Sequence, residues 1–422
     1  MHGTRYHDLD VRFHYTLCDK LNNRPIQTTL SQVLNIDAIL IDALLLATLK
    51  NRVKYKQLVK RRGQEAQSLL NLLQARLGFP LDPSLRRFHM GALIKLSRSS
   101  GLYPECMILK GIGLTGKVAV DFGGYGDIWK GLLGGKEIAV KVLKILRKFE
   151  KDKFLKEFSS EAVIWRQLNH PNVVSFYGVF HLEDDRLCLA SPWMNNGNVV
   201  RFLESAPETK CVPLMLDIAE GLNYLHTFSP SIIHGDIKGV NILITESLRA
   251  CLADFGLAAA KETQSMAVTT AMITRATGTM RWQAPELLQD DDVCNSLASD
   301  VYAYACVCYE LFSGKLPFHD IQKDYRVMCA VKRGDRPLRP SDDRCRVRGL
   351  NDQVWSIIET CWAQEPNHRL FAGQVVERVG WSSARTDGRP RDEFDPAFPS
   401  RTLYSQAEHP FSAFAGPPGS TR

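Results

Sequence analysis

The decapeptide HGDIKGVNIL, His234 to Leu243, sets a carboxylate two residues after an imidazole, an ammonium two residues later and a carboxamide three beyond that. A glycine, Gly235, stands between the imidazole and the carboxylate. What flanks the decapeptide decides its meaning. Downstream come DFG, Asp254 to Gly256, and APE, Ala284 to Glu286. Upstream lie GGYG at Gly123 to Gly126, IAVK ending at Lys141, and SSEAVIWRQLNHPN carrying Glu161. GGYG alone reads as a hairpin turn. The ordered series is far more specific than any one member.

Periodicity places these stretches on elements. Residues 1–29 read as irregular. From Leu30 to about Ser100 the pattern is helical, with Leu34, Ala38, Ile41, Leu45 and Leu49 recurring at three- and four-residue steps. A second helix is expected over Glu65 to Leu77, ending at Gly78 with Pro80 just beyond. A third starts after Asp82 with Pro83 in its first turn. Together they give an all-α module over residues 30–112. Lys50 to Arg62 contains no acidic residue, but on helical spacing its charges fall all round the axis, which predicts a solvated helix or loop.

From about Lys117 the period switches. VAVDFGGYGDIWKG and GGKEIAVKVLK read as strands joined by a glycine-rich turn, and LCLASPWM, Leu187 to Met194, as another. Beyond Val199 the pattern is mostly helical. Strands first and helices afterwards predict an α+β domain with two lobes over residues 113–380. After Val379 the chain is rich in Arg, Pro, Ser and Gly, so 381–422 is expected to be a disordered tail.

Bulk properties exclude several classes. A net charge of +7 over 422 residues gives no footprint for nucleic acid. The first thirty residues lack the apolar core of a signal peptide. The most apolar run, Ala38 to Leu49, is too short to cross a bilayer and contains Asp42. Eleven cysteines occur without a CxxC pair, which argues against zinc and a disulfide framework and fits the cytoplasm or nucleus.

The ordered series resembles the protein kinase superfamily. Within it, the serine-proline-tryptophan stretch, HGDIKGVNIL, RWQAPELL and CWAQEPNHR look like tyrosine-kinase-like kinases, especially the expanded families of mushroom-forming fungi. A helical segment commonly precedes the kinase domain there. The resemblance implies a two-lobed fold, ATP and Mg²⁺, and protein substrates with Ser or Thr acceptors. By the same resemblance Gly123, Gly124 and Gly126 admit backbone N–H groups to the ATP phosphates, and Ile128 and Ala139 join the nucleotide-binding set. Lys141 holds the α- and β-phosphates and is oriented by Glu161, with Glu157 the nearest competitor for that role. Ser191, Pro192 and Met194 face adenine, the Met194 N–H being the donor. Asn241 and Asp254 are the implied Mg²⁺ ligands, an amide and a carboxylate suited to an ion that retains its waters. Asp236 accepts the substrate proton. Lys238 neutralises the γ-phosphate, and Thr279 bridges to both. Asp300 is expected to anchor the loop, Glu286 to pair with Arg369, and Trp282, Trp355 and Trp362 to be core.

Three departures from the pattern bear on activity. Asp121 replaces the first phosphate-loop glycine; a carboxylate near triphosphate costs about 1 kcal/mol at ~4 Å in water and about 4 at a dielectric of about 20. Ala305 fills a usual glycine site. Gly235 replaces an arginine that pairs with an activation-segment phosphate; Lys261, Arg275 and Arg281 are the cations left to substitute in part, and Thr263, Ser265, Thr269, Thr270, Thr274 and Thr277 the possible acceptors. The loop is therefore read as complete but differently regulated, in a serine/threonine protein kinase. The alternatives are a nucleotide-binding pseudokinase or scaffold, motivated by Asp121, and a small-molecule kinase, which APE and HPN disfavour. The N-terminal helices are expected to pack on themselves, the kinase domain or a protein partner.

Overall fold

A computed structural model describes residues 39–79, 81–116, 118–122, 126–143, 151–182, 186–254, 259–260, 280–289, 293–383 and 388–390. The irregular segment expected over 1–29 lies outside these residues. The chain divides into two compact units, Met1–Ile108 with Phe149–Val163 and Ala397–Arg422, and Leu109–Lys148 with Ile164–Pro396.

In the first unit, helices α1 (39–50), α2 (Arg52–Leu58), α3 (Gly63–Leu77) and α4 (Pro83–Ser100) follow the apolar spacing. Local chemistry sets their ends. Asn51 caps α2 by accepting from the N–H groups of Val53 and Lys54, and Asp82 caps α4 through Ser84. Gly101 closes α4 at φ +71°, the left-handed conformation that glycine enters without a Cβ clash. Leu70, Leu73, Met90, Leu93, Ile94 and Leu96 form the buried seam. Asp42 accepts from Arg76 Nε at 2.6 Å, which pairs an otherwise costly guanidinium inside the helices. As expected, α2 is solvated, with Leu58 its buried residue. The unit also takes in most of α5 (Lys151–Arg166), whose Phe158 meets Tyr103 edge-on at 5.7 Å.

In the second unit, β1 (Gly113–Thr115), β2 (Asp121–Phe122), β3 (Gly126–Leu133), β4 (Lys136–Leu143), β5 (Gly178–His181) and β6 (Leu187–Pro192) form one antiparallel sheet. Its order is β1-β3-β4-β6-β5, with β2 also pairing β3. Ile138, Val140 and Val142 on one face of β4 are buried, whereas Ala139 and Lys141 on the other are half-exposed. Two short strand pairs follow the period change, β7 (Ile232–Ile233) with β10 (Ala259–Ala260) and β8 (Ile242–Ile244) with β9 (Ala250–Leu252), together with helices α6 (Val199–Ser205) and α7 (Val212–Thr227).

The remaining helices are α8 (Pro285–Gln289), α9 (Leu297–Ser313), α10 (Asp324–Arg333), α11 (Asp343–Val347), α12 (Asp352–Cys361) and α13 (Ala372–Ser383). Helix α9 is the central one: from Ser299 to Ser313 every residue is buried. A reciprocal Ser296–Ser299 capping box starts it and left-handed Gly314 ends it. Ala305 is wholly buried there, and Trp282, Trp355 and Trp362 are core residues as expected. The thiols of Cys211, Cys306, Cys308 and Cys361 are buried, Cys329 is exposed, and all the described cysteines are free.

The expected Glu286–Arg369 pair forms as a bidentate fork, at 2.8 and 2.7 Å, with the arginine side chain fully buried. Removing one partner of such a pair leaves an uncompensated buried charge. Arg369→Ala should therefore lower unfolding free energy by about 3–5 kcal/mol, read from denaturant titration. A loss within about 0.5 kcal/mol, typical of surface substitutions, contradicts a structural role for the fork.

Candidate active site

Helix α9 supplies the anchor. Asp300, in its first turn and buried, accepts from the backbone N–H groups of His234 and Gly235, each at 2.9 Å. His226 Nε2 lies 3.0 Å from the same carboxylate. Two consecutive N–H groups on one carboxylate bend the loop sharply, and Gly235 takes φ +78°. A residue with a Cβ pays roughly 1–2 kcal/mol for that left-handed conformation. Gly235 thus suits the bend while offering no side chain.

His234 is fully buried. Its Nδ1 accepts the Asp236 N–H at 3.3 Å and its Nε2 donates to Ala253 O at 3.1 Å, so the two ring nitrogens have distinct tasks. The Ala253 N–H in turn donates to Asn241 O at 2.9 Å. The loop and the approach to Asp254 are therefore tied at two points.

Asp236 is the focus. Its Oδ2 accepts from Asn241 Nδ2 at 3.0 Å and pairs with Lys238 Nζ at 2.9 Å. Its Oδ1 is buried and has no partner among the described residues. Burial pushes this carboxyl above its usual range; Lys238 pulls it down and Asp254 pushes it up, with the net direction upward. Asn241 Nδ2 also donates to Asp236 O at 2.8 Å, so both amide hydrogens are used and Asn241 Oδ1 is the acceptor that faces elsewhere. Asp254 sits at φ +62°, a conformation uncommon outside glycine but open to Asp, and ion-pairs with Lys141.

Register gathers the nucleotide-side residues. Ile128 faces Lys141 across β3 and β4, Lys130 faces Ala139, and Ala139 faces Ser191 across β4 and β6. Ile128, Ala139, Lys141 and Ser191 therefore share one face of the sheet, half-exposed on β3 and β4 and buried at Ser191. Pro192 ends β6, and the N–H of half-buried Met194, beyond it, has no hydrogen-bond partner among the described residues. Gly126 has a packing reason for its identity: a Cβ there would lie 2.7 Å from Val142 O. Gly123, Gly124 and Thr279 lie outside the described residues. Glu157 and Glu161 are on α5, within the first unit.

Asp121 Oδ2 lies 3.3 Å from Arg201 Nη2, both side chains being substantially exposed, so its charge has a cation beside it. Arg281, one of the cations considered as a stand-in for the missing arginine, is committed elsewhere. Its guanidinium donates to the carbonyls of Pro317, Phe318 and Ile321 at 2.7–3.0 Å and pairs with Asp324 at 3.2 Å. The other two, Lys261 and Arg275, lie outside the described residues, as do Thr263, Ser265, Thr269, Thr270, Thr274 and Thr277.

One supporting group was not read from the sequence. Glu310 Oε2, buried on α9, accepts from Trp282 Nε1 at 2.7 Å and from the Gly239 N–H at 3.0 Å. A Cβ on Gly239 would come within 2.8 Å of Val200 Cγ2 and 3.0 Å of Glu310 Oε1, so glycine is required for this approach. Glu310 stands in an apolar helical run, and nothing in its spacing marks a polar task.

The family model for protein tyrosine and serine/threonine kinases matches residues 115–379, well over half of the chain. The chain belongs to this protein kinase family. It is 32% identical over 275 residues to the serine/threonine-protein kinase STY17 of Arabidopsis thaliana, covering 64% of this chain and 44% of that one. It is 30% identical over 293 residues to the serine/threonine-protein kinase CTR1 of the same plant, covering 67% and 33%. A probable serine/threonine-protein kinase of Dictyostelium discoideum, drkC, is 30% identical over 255 residues, covering 60% and 32%. The chain thus spans less than half the length of these relatives. These similarities are consistent with the tyrosine-kinase-like resemblance.

The Glu310 contact makes a pH prediction. Burial, outweighing the Trp282 and Gly239 donors, pushes its carboxyl up to about 7 from 4.5. The folded state then holds a proton that the unfolded chain has released, so stability should fall as pH rises from about 4.5 to about 7. Glu310→Gln should flatten that slope in denaturant titrations across this range. An unchanged slope contradicts the assignment.

Proposed function

We propose that this chain is an ATP- and Mg²⁺-dependent protein kinase that phosphorylates serine and threonine hydroxyls. The observation that carries the proposal is the state of Asp236: one oxygen held by Asn241 and Lys238, the other buried and unpartnered. A raised carboxyl pKa also brings its basicity closer to that needed for accepting a hydroxyl proton. In the proposed step the substrate hydroxyl oxygen attacks the γ-phosphorus. The bond to the bridging oxygen breaks, ADP leaves, and the hydroxyl proton passes to Asp236 Oδ1.

The residues fit the metal that such chemistry uses. Asn241 Oδ1 and the Asp254 carboxylate are hard oxygen donors at the ends of adjoining strands. When bound there, Mg²⁺ supplies charge neutralisation across the phosphate oxygens. Lys141 is assigned to the α- and β-phosphates and Lys238 to the γ-phosphate. Ile128, Ala139, Ser191 and the Met194 N–H are assigned to adenine, with Gly123, Gly124 and Gly126 at the phosphates. Serine/threonine preference is supported by Lys238 and by the names of the relatives. A cytoplasmic site of action fits the absence, among the described residues, of a helix long and apolar enough to cross a membrane. A protein partner for the N-terminal helices belongs to the same proposal.

Asp254 and Asp236 should be separable. Asp254→Asn should weaken Mg²⁺–ATP binding and abolish transfer, whereas Asp236→Asn should leave nucleotide affinity largely intact and lower turnover about 10²–10⁴-fold. Calorimetric titration with single-turnover assays measures both. Full turnover in the Asp236 variant rejects the assignment.

Regulation gives a further test. Gly235 offers no fork for an activation-segment phosphate and Arg281 is already engaged, so basal activity should be largely independent of phosphorylation in that segment. Phosphatase treatment followed by turnover measurement decides this. A hundredfold loss, about 2.7 kcal/mol on the barrier, would mean that another cation receives the phosphate.

A further inference from the structure

The β8–β9 hairpin has two ends. Asn241 precedes β8 and Asp254 follows β9 by two residues, so the candidate metal ligands share one end. The turn Thr245–Arg249 closes the other, about 10 Å away along three residues of strand. That turn is held by an unusually buried charge cluster. Arg249 Nη1 donates to Asp217 Oδ1 at 2.9 Å, and the Ala250 N–H donates to Asp217 Oδ2 at 3.0 Å. Asp217 lies on α7 and is 1% exposed.

Residues 388–390, within the stretch expected to be disordered, complete the cluster. Arg249 Nε donates to Pro390 O at 2.6 Å and its Nη2 to Arg389 O at 2.8 Å. Arg389 reciprocates, donating to Leu248 O at 2.6 Å and pairing with Asp217 Oδ2 at 2.9 Å. Burial pushes the Asp217 carboxyl up, and Arg389 is the strongest influence pulling it down. Leu248 is at φ +63°, a conformation that a leucine keeps only where its surroundings over-determine it. A buried carboxylate shared by two arginines, with carbonyls met on both sides, is a built recognition site for an arginine side chain and the peptide around it.

We propose that the Asp217–Arg249 pair is a docking site for an arginine-bearing segment, occupied by the chain's own Arg389–Pro390, and that docking braces the hairpin carrying Asn241 and Asp254. The docking half stands on the contacts alone. The bracing half rests on the reading of Asn241 and Asp254 as metal ligands.

The test uses the full chain and its Arg389→Ala variant, with hydrogen exchange of the Leu248–Ala250 amides as the first readout. Exchange there should quicken at least about tenfold, as for a local opening that loses about 1.4 kcal/mol, while the α9 amides keep their protection. Adding a synthetic peptide with the sequence of residues 385–393 should restore protection. The second readout is calorimetric Mg²⁺–ATP affinity, expected to weaken several-fold in the variant. Unchanged exchange, or protection that the peptide does not restore, overturns the docking site. Faster exchange with unchanged Mg²⁺–ATP affinity overturns the brace and leaves docking standing. If the unaltered chain binds no Mg²⁺–ATP, the proposed function fails, and the exchange arm still decides docking.

Discussion

Two backbone N–H groups on the buried carboxylate of Asp300 set the geometry on which the candidate site depends. Neither His234 nor Gly235 can rotate its peptide without leaving that charge unsatisfied inside the protein, which is costly. Everything between His234 and Asn241 inherits this constraint. The bend turns Asp236 inward, His234 carries the restraint to Ala253, and Asn241 meets Ala253 from the other side. Helix α9 then grips the loop again, ten residues on, where Glu310 takes the Gly239 N–H. The two grips stand about 15 Å apart along a helix whose residues are buried throughout. A loop with so much polar backbone is rigid here because its support is a fully packed rod.

That rigidity gives Gly235 a different meaning from a lost residue. At φ +78° the position favours glycine on backbone grounds, and the four groups proposed for chemistry, Asp236, Lys238, Asn241 and Asp254, are all held by partners that Gly235 does not supply. Arg281, one of the candidate substitutes, has a structural task among the carbonyls of Pro317, Phe318 and Ile321. Asp121 likewise faces a cation, Arg201, at the surface. An exposed pair of this kind contributes little, typically ~0–1 kcal/mol, but it places the carboxylate away from the role of a bare charge.

Much of this was legible in the sequence, for identifiable reasons. The period change near Lys117 marked the sheet because β4 buries alternate residues, Ile138, Val140 and Val142. The cap at Asp82 announced the start of α4 because it acts within one turn. Asp300, Glu286 and Arg369 were readable as supports only through family resemblance, since their partners lie far off in the chain. Glu310, Asp217 and Arg249 were not readable at all. Each is a charged residue whose partner is a backbone group or an arginine distant in sequence, and no periodicity encodes such a meeting. The grouping of residues 149–163 with the N-terminal helices was equally hidden, because α5 is amphipathic whichever neighbour it packs against.

The burial of the thiols has a practical consequence. Desolvation pushes Cys211 and Cys361 up to about 12, and Cys306 and Cys308 also well upward, so at neutral pH these sulfurs hold their protons and are poor nucleophiles. Cys329, on the outer face of α10, is the exposed thiol among the described residues. An alkylating reagent applied to the folded chain will therefore discriminate by solvent access, and a fluorophore or spin label carried to Cys329 reports from the helical part of the second unit without disturbing its core.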